Sequence, residues 1–300
     1  MNFYVWGLSG TLMTEHSEAL AYAEQRLWHW LHAFDIACNR FRADSEITAL
    51  NQHGARAVPI SDTLERALVA ALRAGQATDG LCDPTVLPAL LAVGYDRDYD
   101  DVVRRTNISR LSPVLPLGLS AIQLDHEQHT VTLAQGCQLD LGASAKALIV
   151  DLVADDLASY GGVVVELGGD VAVRGQGPDG PWVVGVSDSL TITGQEPRIS
   201  LRHGGIATSS TGTRSWTVGD HVVNHIIDPR TGSFAHGTYA TASVTASDCV
   251  LANAFATAAL LWDDDASYHI AQAGWSARLV RRDGTVEFVG GWPSAESVES

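Results

Sequence analysis

The spacing of hydrophobic residues predicts short strands and amphipathic helices in the first half of this 300-residue chain. Phe3–Leu12 has the pattern of a strand, and Glu15–Phe34 carries apolar residues at helical spacing. A second amphipathic helix is predicted over Asp62–Ala77. Ala121–Leu139 alternates apolar and polar residues on either side of a turn at His126–His129, which predicts a hairpin.

The second half of the chain is predicted to be richer in strands. Ser144–Ala158 is predicted to be a helix, and Val163–Val173 a strand that turns at Gly168-Gly169-Asp170. The remaining predicted elements are strands at Trp182–Val186, Ile199–Leu201, His221–Ile227 and Ala242–Ser247 and a helix at Leu251–Leu261. Because strands and helices do not alternate regularly, we predict an α+β fold with mixed or antiparallel sheets and about four to six packing helices. We expect one domain over residues 1–300, as a single core or as two tightly joined halves.

Composition and charge narrow the classes of function. Hydrophobic residues make up 46% of the chain and charged residues 18%, a balance that supports a large buried core and argues against disorder. The formal net charge of −16 argues against nucleic acid as a partner, because the phosphate backbone would be repelled. A protein this acidic needs a local cation, a metal ion or a helix N-terminus to bind an anionic ligand.

Two further features bear on the cellular environment. The four cysteines lie far apart without metal-ligand spacing, so we predict buried free thiols. The N-terminal residues lack a basic, then apolar, signal segment, and no stretch approaches the roughly 18 apolar residues of a membrane span. We therefore expect a cytoplasmic protein without a transmembrane segment.

Two glycine-containing or small-residue turns are candidates for ligand binding. Asp140 is predicted to end a strand, and Lys146 lies early in the following helix, an arrangement that suits an anion. An ordinary strand-to-helix turn with a capping aspartate has the same pattern. Gly168 and Gly169, followed by Asp170, suit a tight turn where the backbone meets a ligand. A plain Gly-Gly-Asp turn is equally compatible, and the spacing is not that of a dinucleotide-binding GxGxxG motif.

Two pairs of polar residues suggest catalysis and cation binding. His225 and Asp228 flank the end of a predicted strand, and a histidine beside a carboxylate can act as a general base or a ligand. Asp-Pro-x-x-Gly is also a common turn sequence. Asn253 and Thr257 lie four residues apart on a predicted helix and could offer oxygen ligands to a hard cation. The alternative for that helix is close packing through its many alanines.

Taken together, these segments occur in an order that resembles the FAD:protein FMN transferase family, also called ApbE and formerly labelled a thiamine-biosynthesis lipoprotein. His225–Gly232 matches the family pattern HIIDPxTG, and Leu139–Lys146 resembles LDLGGIAKG. The other similar segments are Phe41–Asn51, Thr78–Val86, Glu166–Asp170, Ile206–Ser210 and Ala252–Ala258. The resemblance spans nearly the whole chain, and the shared order is more specific than any single segment.

The resemblance implies an ApbE-like fold and a transferase that moves FMN from FAD to a threonine or serine hydroxyl of an acceptor flavoprotein, with release of AMP. It implies FAD contacts from Leu81, Cys82, Asp83, Asp140, Lys146, Gly168, Gly169, Asp170 and Ile227. It implies that Mg²⁺ is held by the Ala143 carbonyl, Asn253 and Thr257. In this interpretation His225 is the base that takes the hydroxyl proton, and Asp228 orients it or helps at the metal.

Several positions depart from the family pattern. Asn253 replaces the usual aspartate and removes one negative charge from the implied metal site, and Cys82 replaces an aromatic residue. Ala147 and Ser210 stand where the family has glycine. Two alternatives therefore accompany flavinylation: an FAD-hydrolysing relative that releases FMN and AMP without a protein acceptor, and a non-catalytic flavin-binding protein.

The charge of the chain leads to a first prediction. Because the FAD pyrophosphate is anionic and the protein carries a formal charge of −16, FAD should bind weakly once Mg²⁺ is removed. Measuring FAD affinity with and without a chelator tests this. Equal affinity under the two conditions would count against the metal role.

Overall fold

The computed structural model describes residues 1–104, 112–188, 194 and 196–292. Its strands are β1 (Asn2–Val5), β2 (Leu8–Thr14), β3 (Val58–Pro59), β4 (Ile122–Asp125), β5 (Thr130–Leu133), β6 (Val163–Leu167), β7 (Asp170–Arg174), β8 (Trp182–Gly185), β9 (Arg198–Leu201), β10 (His203–Ser210), β11 (Ser215–Val218), β12 (His221–Asn224), β13 (Ile227–Asp228), β14 (Ser233–Phe234), β15 (Tyr239–Ala246), β16 (Ser276–Arg281) and β17 (Val286–Val289). Its α-helices are α1 (Leu20–Cys38), α2 (Glu46–Gln52), α3 (Asp62–Ala77), α4 (Leu87–Ala92), α5 (Tyr99–Val103), α6 (Ala145–Leu157), α7 (Cys249–Trp262) and α8 (Ala266–Gln272).

The α+β class with antiparallel sheets is confirmed. The long helices α1, α3, α6 and α7 are the four that the hydrophobic pattern predicts, whereas α2, α4, α5 and α8 are shorter and were not predicted. The predicted strand at Phe3–Leu12 is instead the hairpin of β1 and β2. Its turn residues Trp6 and Gly7 have φ values of 51° and 74°, the left-handed pair that a tight hairpin turn requires.

The described chain divides into two compact units. The first, called unit 1, comprises residues 1–31, 146–210 and 237–300, and the second, unit 2, comprises residues 32–145 and 211–236. The single domain over residues 1–300 stays a prediction. Each unit is assembled from segments that are distant in the sequence.

Unit 1 is built on an eight-stranded sheet in the order β1-β2-β6-β7-β10-β15-β16-β17, in which every neighbouring pair is antiparallel. Strand β7 is buried at all its positions and sends alternate side chains to opposite faces. Asp170 and Arg174 form ion pairs with residues of α6, whereas Val171 and Val173 pack with Trp182 of β8 in an apolar cluster. One face of β7 therefore presents charged side chains, and the other presents apolar side chains that pack in the hydrophobic core.

Helix α7 packs on β10 and β15 in unit 1. Close approach is possible because β10 has a glycine under the start of the helix: a Cβ on Gly205 would lie 2.4 Å from the Cα of Cys249. The helix is buried on nearly all sides, with most of its alanines inaccessible to solvent. Small residues thus set the distance between α7 and the sheet.

Unit 2 contains the three-stranded antiparallel sheet β3-β5-β4 and the two-stranded ribbons β11-β12 and β13-β14. An apolar cluster joins residues of α4, the segment after it, β11, β12 and β13. Its members include Leu90, Tyr95, Trp216, Val223 and Ile227. The predicted hairpin around His126–His129 is confirmed as β4 and β5.

The four cysteines are free and buried, as predicted. Among the residues that the structure describes, we find no helix with the length and apolar character needed to cross a membrane.

The glycine beneath α7 gives a test of this packing. Changing Gly205 to alanine should lower the free energy of unfolding by roughly 1–3 kcal/mol, because the added methyl must push the helix backbone away from β10. Urea unfolding measures the change. Gly185→Ala is the matched control, since a Cβ at Gly185 meets open space, and equal destabilisation by both variants would contradict the packing argument.

Candidate functional site

The sequence-predicted site residues fall into two groups, one in each unit, and each group is described within its own unit. In unit 1 the centre is Asp170, the first residue of β7, which is 2% exposed. Lys146 donates to Asp170 Oδ2 at 2.7 Å and Asn253 Nδ2 donates to Asp170 Oδ1 at 2.7 Å. The carboxylate of Asp170 therefore joins β7 to α6 and α7, and it links two residues, Lys146 and Asn253, that the sequence singled out separately.

The bond to Asp170 fixes the orientation of the Asn253 amide. Only the NH₂ group can donate to a carboxylate, so the amide oxygen must point elsewhere. Asn253 is 6% exposed, and its Oδ1 has no hydrogen-bond partner among the residues described. A buried acceptor without a donor is costly, and a cation or a water molecule would satisfy it.

The position of Asn253 depends on how α7 begins. Asp248 caps the helix through Leu251 N, at 3.0 Å. Asp151 of α6 accepts from the backbone nitrogens of Cys249 and Val250 at 3.0 and 3.1 Å, and burial raises the pKa of Asp151 to about 6. Two carboxylates thus hold the positive end of α7, which places Asn253, one turn later, beside α6 and β7.

Thr257 follows Asn253 by one turn of α7, and its hydroxyl lies 3.0 Å from Ser209 Oγ of β10. This serine belongs to the segment Ile206–Ser210 that resembles the family pattern. The same face of α7 therefore presents an amide oxygen and a hydroxyl, both of them oxygen ligands suited to a hard cation.

Gly168 and Gly169 form the two-residue turn between β6 and β7, with φ values of 60° and 92°. Both values lie in the left-handed region, so the turn itself requires glycine. Gly169 N donates to Glu166 Oε1 at 2.9 Å, and burial raises the pKa of Glu166. The turn delivers Asp170 to its position, whereas direct contact of either glycine with FAD stays a prediction.

In unit 2, backbone hydrogen bonds of Leu139 and Asp140 fix the position of Asp140. Asn51 of α2 bonds both the nitrogen and the oxygen of Leu139, and Asp140 N donates to Pro84 O at 2.9 Å. The Asp140 carboxylate pairs with Arg40 and also accepts from Gly142 N at 2.7 Å. Its environment is that of a buried ion pair rather than a free helix cap.

Arg40 was not predicted as a site residue. Its guanidinium lies 4.0 Å from the ring centroid of Phe41 and 4.7 Å from that of Tyr95, and its side chain is only 9% exposed. Burial raises the pKa of the Tyr95 hydroxyl. No spacing rule links Arg40 to Asp140, which is a hundred residues away, and its adjacency to Phe41 in a family-like segment was the only available signal.

The segment Leu81–Asp83 is buried in unit 2. Cys82 N donates to Thr78 Oγ1 at 3.0 Å, and burial raises the pKa of the Cys82 thiol to about 12, so the thiol stays protonated at neutral pH. Asp83 caps the short 3₁₀ helix at Pro84–Val86 by accepting from Thr85 N at 2.7 Å, and burial raises its pKa.

The remaining predicted residues also lie in unit 2. His225 Nδ1 is 3.4 Å from the carbonyl oxygen of Arg214, and Ile227 is buried in the apolar cluster. The Asp228 carboxylate accepts from the backbone and guanidinium of Arg230, both at 2.9 Å, which fixes the proline turn. Ala143 is exposed in the turn before α6. The roles assigned to His225, Asp228 and Ala143 stay predictions.

Comparison with known proteins supports the family resemblance that the order of the sequence segments indicates. A profile of the ApbE family matches residues 8–279. An FAD:protein FMN transferase of Treponema pallidum (strain Nichols) is 32% identical over 262 residues, covering 79% of this chain and 70% of that protein. One from Chlamydia trachomatis is 28% identical, covering 80% of this chain and 76% of that protein.

Solved structures share the fold. The ApbE protein of Thermotoga maritima superposes with a TM-score of 0.80 at 22% identity, covering 96% of each chain. The flavinyl transferase ApbE of Pseudomonas stutzeri gives a TM-score of 0.77 at 20% identity, covering 96% of this chain and 92% of that one.

The hydrogen bond between Asn253 and Asp170 gives a prediction about charge. In Asn253→Asp the donor is lost and two carboxylates face each other at 2.7 Å, so the variant should be about 2 kcal/mol or more less stable at neutral pH without a divalent cation. Mg²⁺ should restore more stability to this variant than to the wild type. Urea unfolding with Mg²⁺ and with chelator measures both effects, and an Mg²⁺ response equal to that of the wild type would refute the charge argument.

Proposed function

This chain belongs to the ApbE family, and on that premise we propose that it is an Mg²⁺-dependent FAD:protein FMN transferase. The substrate is FAD, and the second substrate is an acceptor flavoprotein with a threonine or serine hydroxyl. The products are AMP and an acceptor that carries FMN through a phosphoester bond. The observation that best supports the proposal is the buried Lys146–Asp170–Asn253 cluster, which joins three family-like segments around one carboxylate.

Mg²⁺ fits the donors that α7 presents. Asn253 Oδ1 is a buried oxygen without a partner among the described residues, and the Thr257 hydroxyl lies one turn further along the same helix face. These two residues would hold the ion. When bound, Mg²⁺ would neutralise pyrophosphate charge and stabilise the AMP leaving group. Asparagine in place of the usual aspartate lowers the charge of this ligand set, so part of the attraction must come from the FAD phosphates.

His225 is the proposed base. If its Nδ1–H donates to the Arg214 carbonyl, Nε2 is the unprotonated nitrogen and therefore the one that can accept a proton. In the proposed step the acceptor hydroxyl oxygen bonds to the phosphorus of the FMN phosphate, and the hydroxyl proton passes to Nε2. The bond from that phosphorus to the bridging oxygen breaks, and the oxygen leaves with AMP.

The decisive assay combines the protein, FAD, Mg²⁺ and a candidate acceptor. We expect mass spectrometry to find an acceptor heavier by one FMN and chromatography to find AMP. If AMP and free FMN appear while the acceptor stays unlabelled, the protein is a hydrolase in which water replaces the hydroxyl. If no AMP forms, the enzymatic proposal is wrong.

A histidine variant tests the base. His225→Ala should slow acceptor labelling by roughly 10²- to 10⁴-fold, the usual contribution of a general base, while FAD affinity changes little. The matched control is His221→Ala, which removes an exposed histidine of unit 2 in the adjoining strand β12. Labelling by His225→Ala at the rate of the control would exclude His225 as the base.

A further inference from the structure

A second group of metal-type ligands lies in unit 2, where the β4–β5 hairpin meets the start of α3. Strand β3 pairs with β5 through Val58 and Val131, and it leads directly into α3. Ile60 N donates to His129 O at 2.9 Å, which ties the hairpin turn to the residues just before the helix. The fold therefore brings the first turn of α3 beside the turn at His126–His129.

The backbone conformation of the first turn of α3 and of the β4–β5 turn places side chains of both close together. Asp62 and Glu65 lie three residues apart in the first turn of α3 and share a face. In the hairpin turn, Asp125 Oδ1 accepts from Glu127 N and Gln128 N, each at 3.0 Å, and His129 has a φ of 48°. A left-handed φ at a residue other than glycine is uncommon, and here it turns the His129 ring toward α3.

Three side chains surround the carboxylate of Glu65. His126 Nδ1 lies 2.6 Å from Glu65 Oε1, and His129 Nδ1 lies 2.6 Å from Glu65 Oε2. Asp62 Oδ1 lies 4.0 Å from His129 Nδ1, and ligand atoms of Asp62, Glu65 and His129 all lie within 4.8 Å of one another. Glu65 is 14% exposed, while both imidazoles are more than half exposed. The carboxylate is thus largely buried, and the exposed imidazoles have space in which to rotate.

We propose that Asp62, Glu65, His129 and His126 form a binding site for one transition-metal ion of the Zn²⁺ type. In a tetrahedral Zn²⁺ site with bonds of about 2.0–2.2 Å, the ligand atoms lie about 3.3–3.6 Å apart, so the 4.0 Å between Asp62 Oδ1 and His129 Nδ1 must shorten by a few tenths of an ångström. The 2.6 Å contacts must open, which rotation of the exposed imidazoles allows. Two imidazole ligands favour Zn²⁺ over Mg²⁺ or Ca²⁺, which prefer oxygen ligands throughout.

Charge supports a cation at this position. Asp62 and Glu65 place two formal negative charges at this position, in a protein whose formal net charge is already −16. A divalent ion would balance them and join α3 to the β4–β5 hairpin. The site would therefore stabilise unit 2, and it is independent of the proposed transferase reaction.

The test is calorimetric titration of the untagged 300-residue chain with Zn²⁺, in buffer containing excess Mg²⁺ to occupy oxygen-ligand sites. We expect one Zn²⁺ ion per chain and a higher melting temperature in its presence. In the double variant His126→Ala with His129→Ala, affinity should fall by at least about tenfold, and the increase in melting temperature should disappear. Glu65→Gln should weaken binding in the same way.

The matched control is His221→Ala, which removes one exposed imidazole of unit 2 outside the cluster and should bind Zn²⁺ like the wild type. Co²⁺ provides a spectroscopic check, because visible d–d bands should appear in the wild type and be absent from the double variant. Binding that survives in the double variant, or no Zn²⁺ binding by the wild type, would overturn the proposal and leave a simple histidine–glutamate ion-pair cluster.

Discussion

The carboxylate of Asp170 is the constraint on which the polar part of unit 1 depends. A buried carboxylate is stable only when hydrogen bonds and an opposite charge replace its hydration, and Lys146 and Asn253 supply both. These donors come from α6 and α7, so satisfying one acid sets the positions of two helices on the sheet. The Gly168-Gly169 turn then fixes where the acid itself stands.

The same bonds determine what chemistry is left available. Because the NH₂ group of Asn253 donates to Asp170, the amide oxygen of Asn253 remains a buried acceptor without a donor among the described residues. An aspartate at this position would repel Asp170 in the absence of a cation, whereas the asparagine stabilises the metal-free protein. Asparagine in place of the family's aspartate therefore lowers the negative charge of the implied metal site, and it stabilises the Lys146–Asp170–Asn253 cluster when no metal is bound.

Helix α3 and the β4–β5 hairpin were predictable from sequence because one face of each is apolar, whereas the β1–β2 hairpin was predicted as one strand. The helix at Asp62–Ala77 was predicted with its observed bounds. Strand β10 was missed, since it lies in the middle of the sheet and its Gly-Gly-Ile-Ala-Thr-Ser-Ser sequence shows no alternation. The pairing of Asp170 with Asn253, 83 residues away, was likewise beyond any periodicity rule. The order of the family-like segments in the sequence identified the candidate residues. Only the structure shows which of these residues form hydrogen bonds with one another.

Ion pairing within each unit also limits the positive charge that this chain can offer to an anionic substrate. Lys146 in unit 1 and Arg40 in unit 2 each already pair with a carboxylate of a family-like segment, Asp170 and Asp140 respectively. A paired cation offers hydrogen bonds but little net positive charge. Neither residue therefore offers an unpaired positive charge within its own unit, and the protein as a whole carries a formal net charge of −16. This balance of charge supports the proposal that a divalent cation accompanies the anionic FAD.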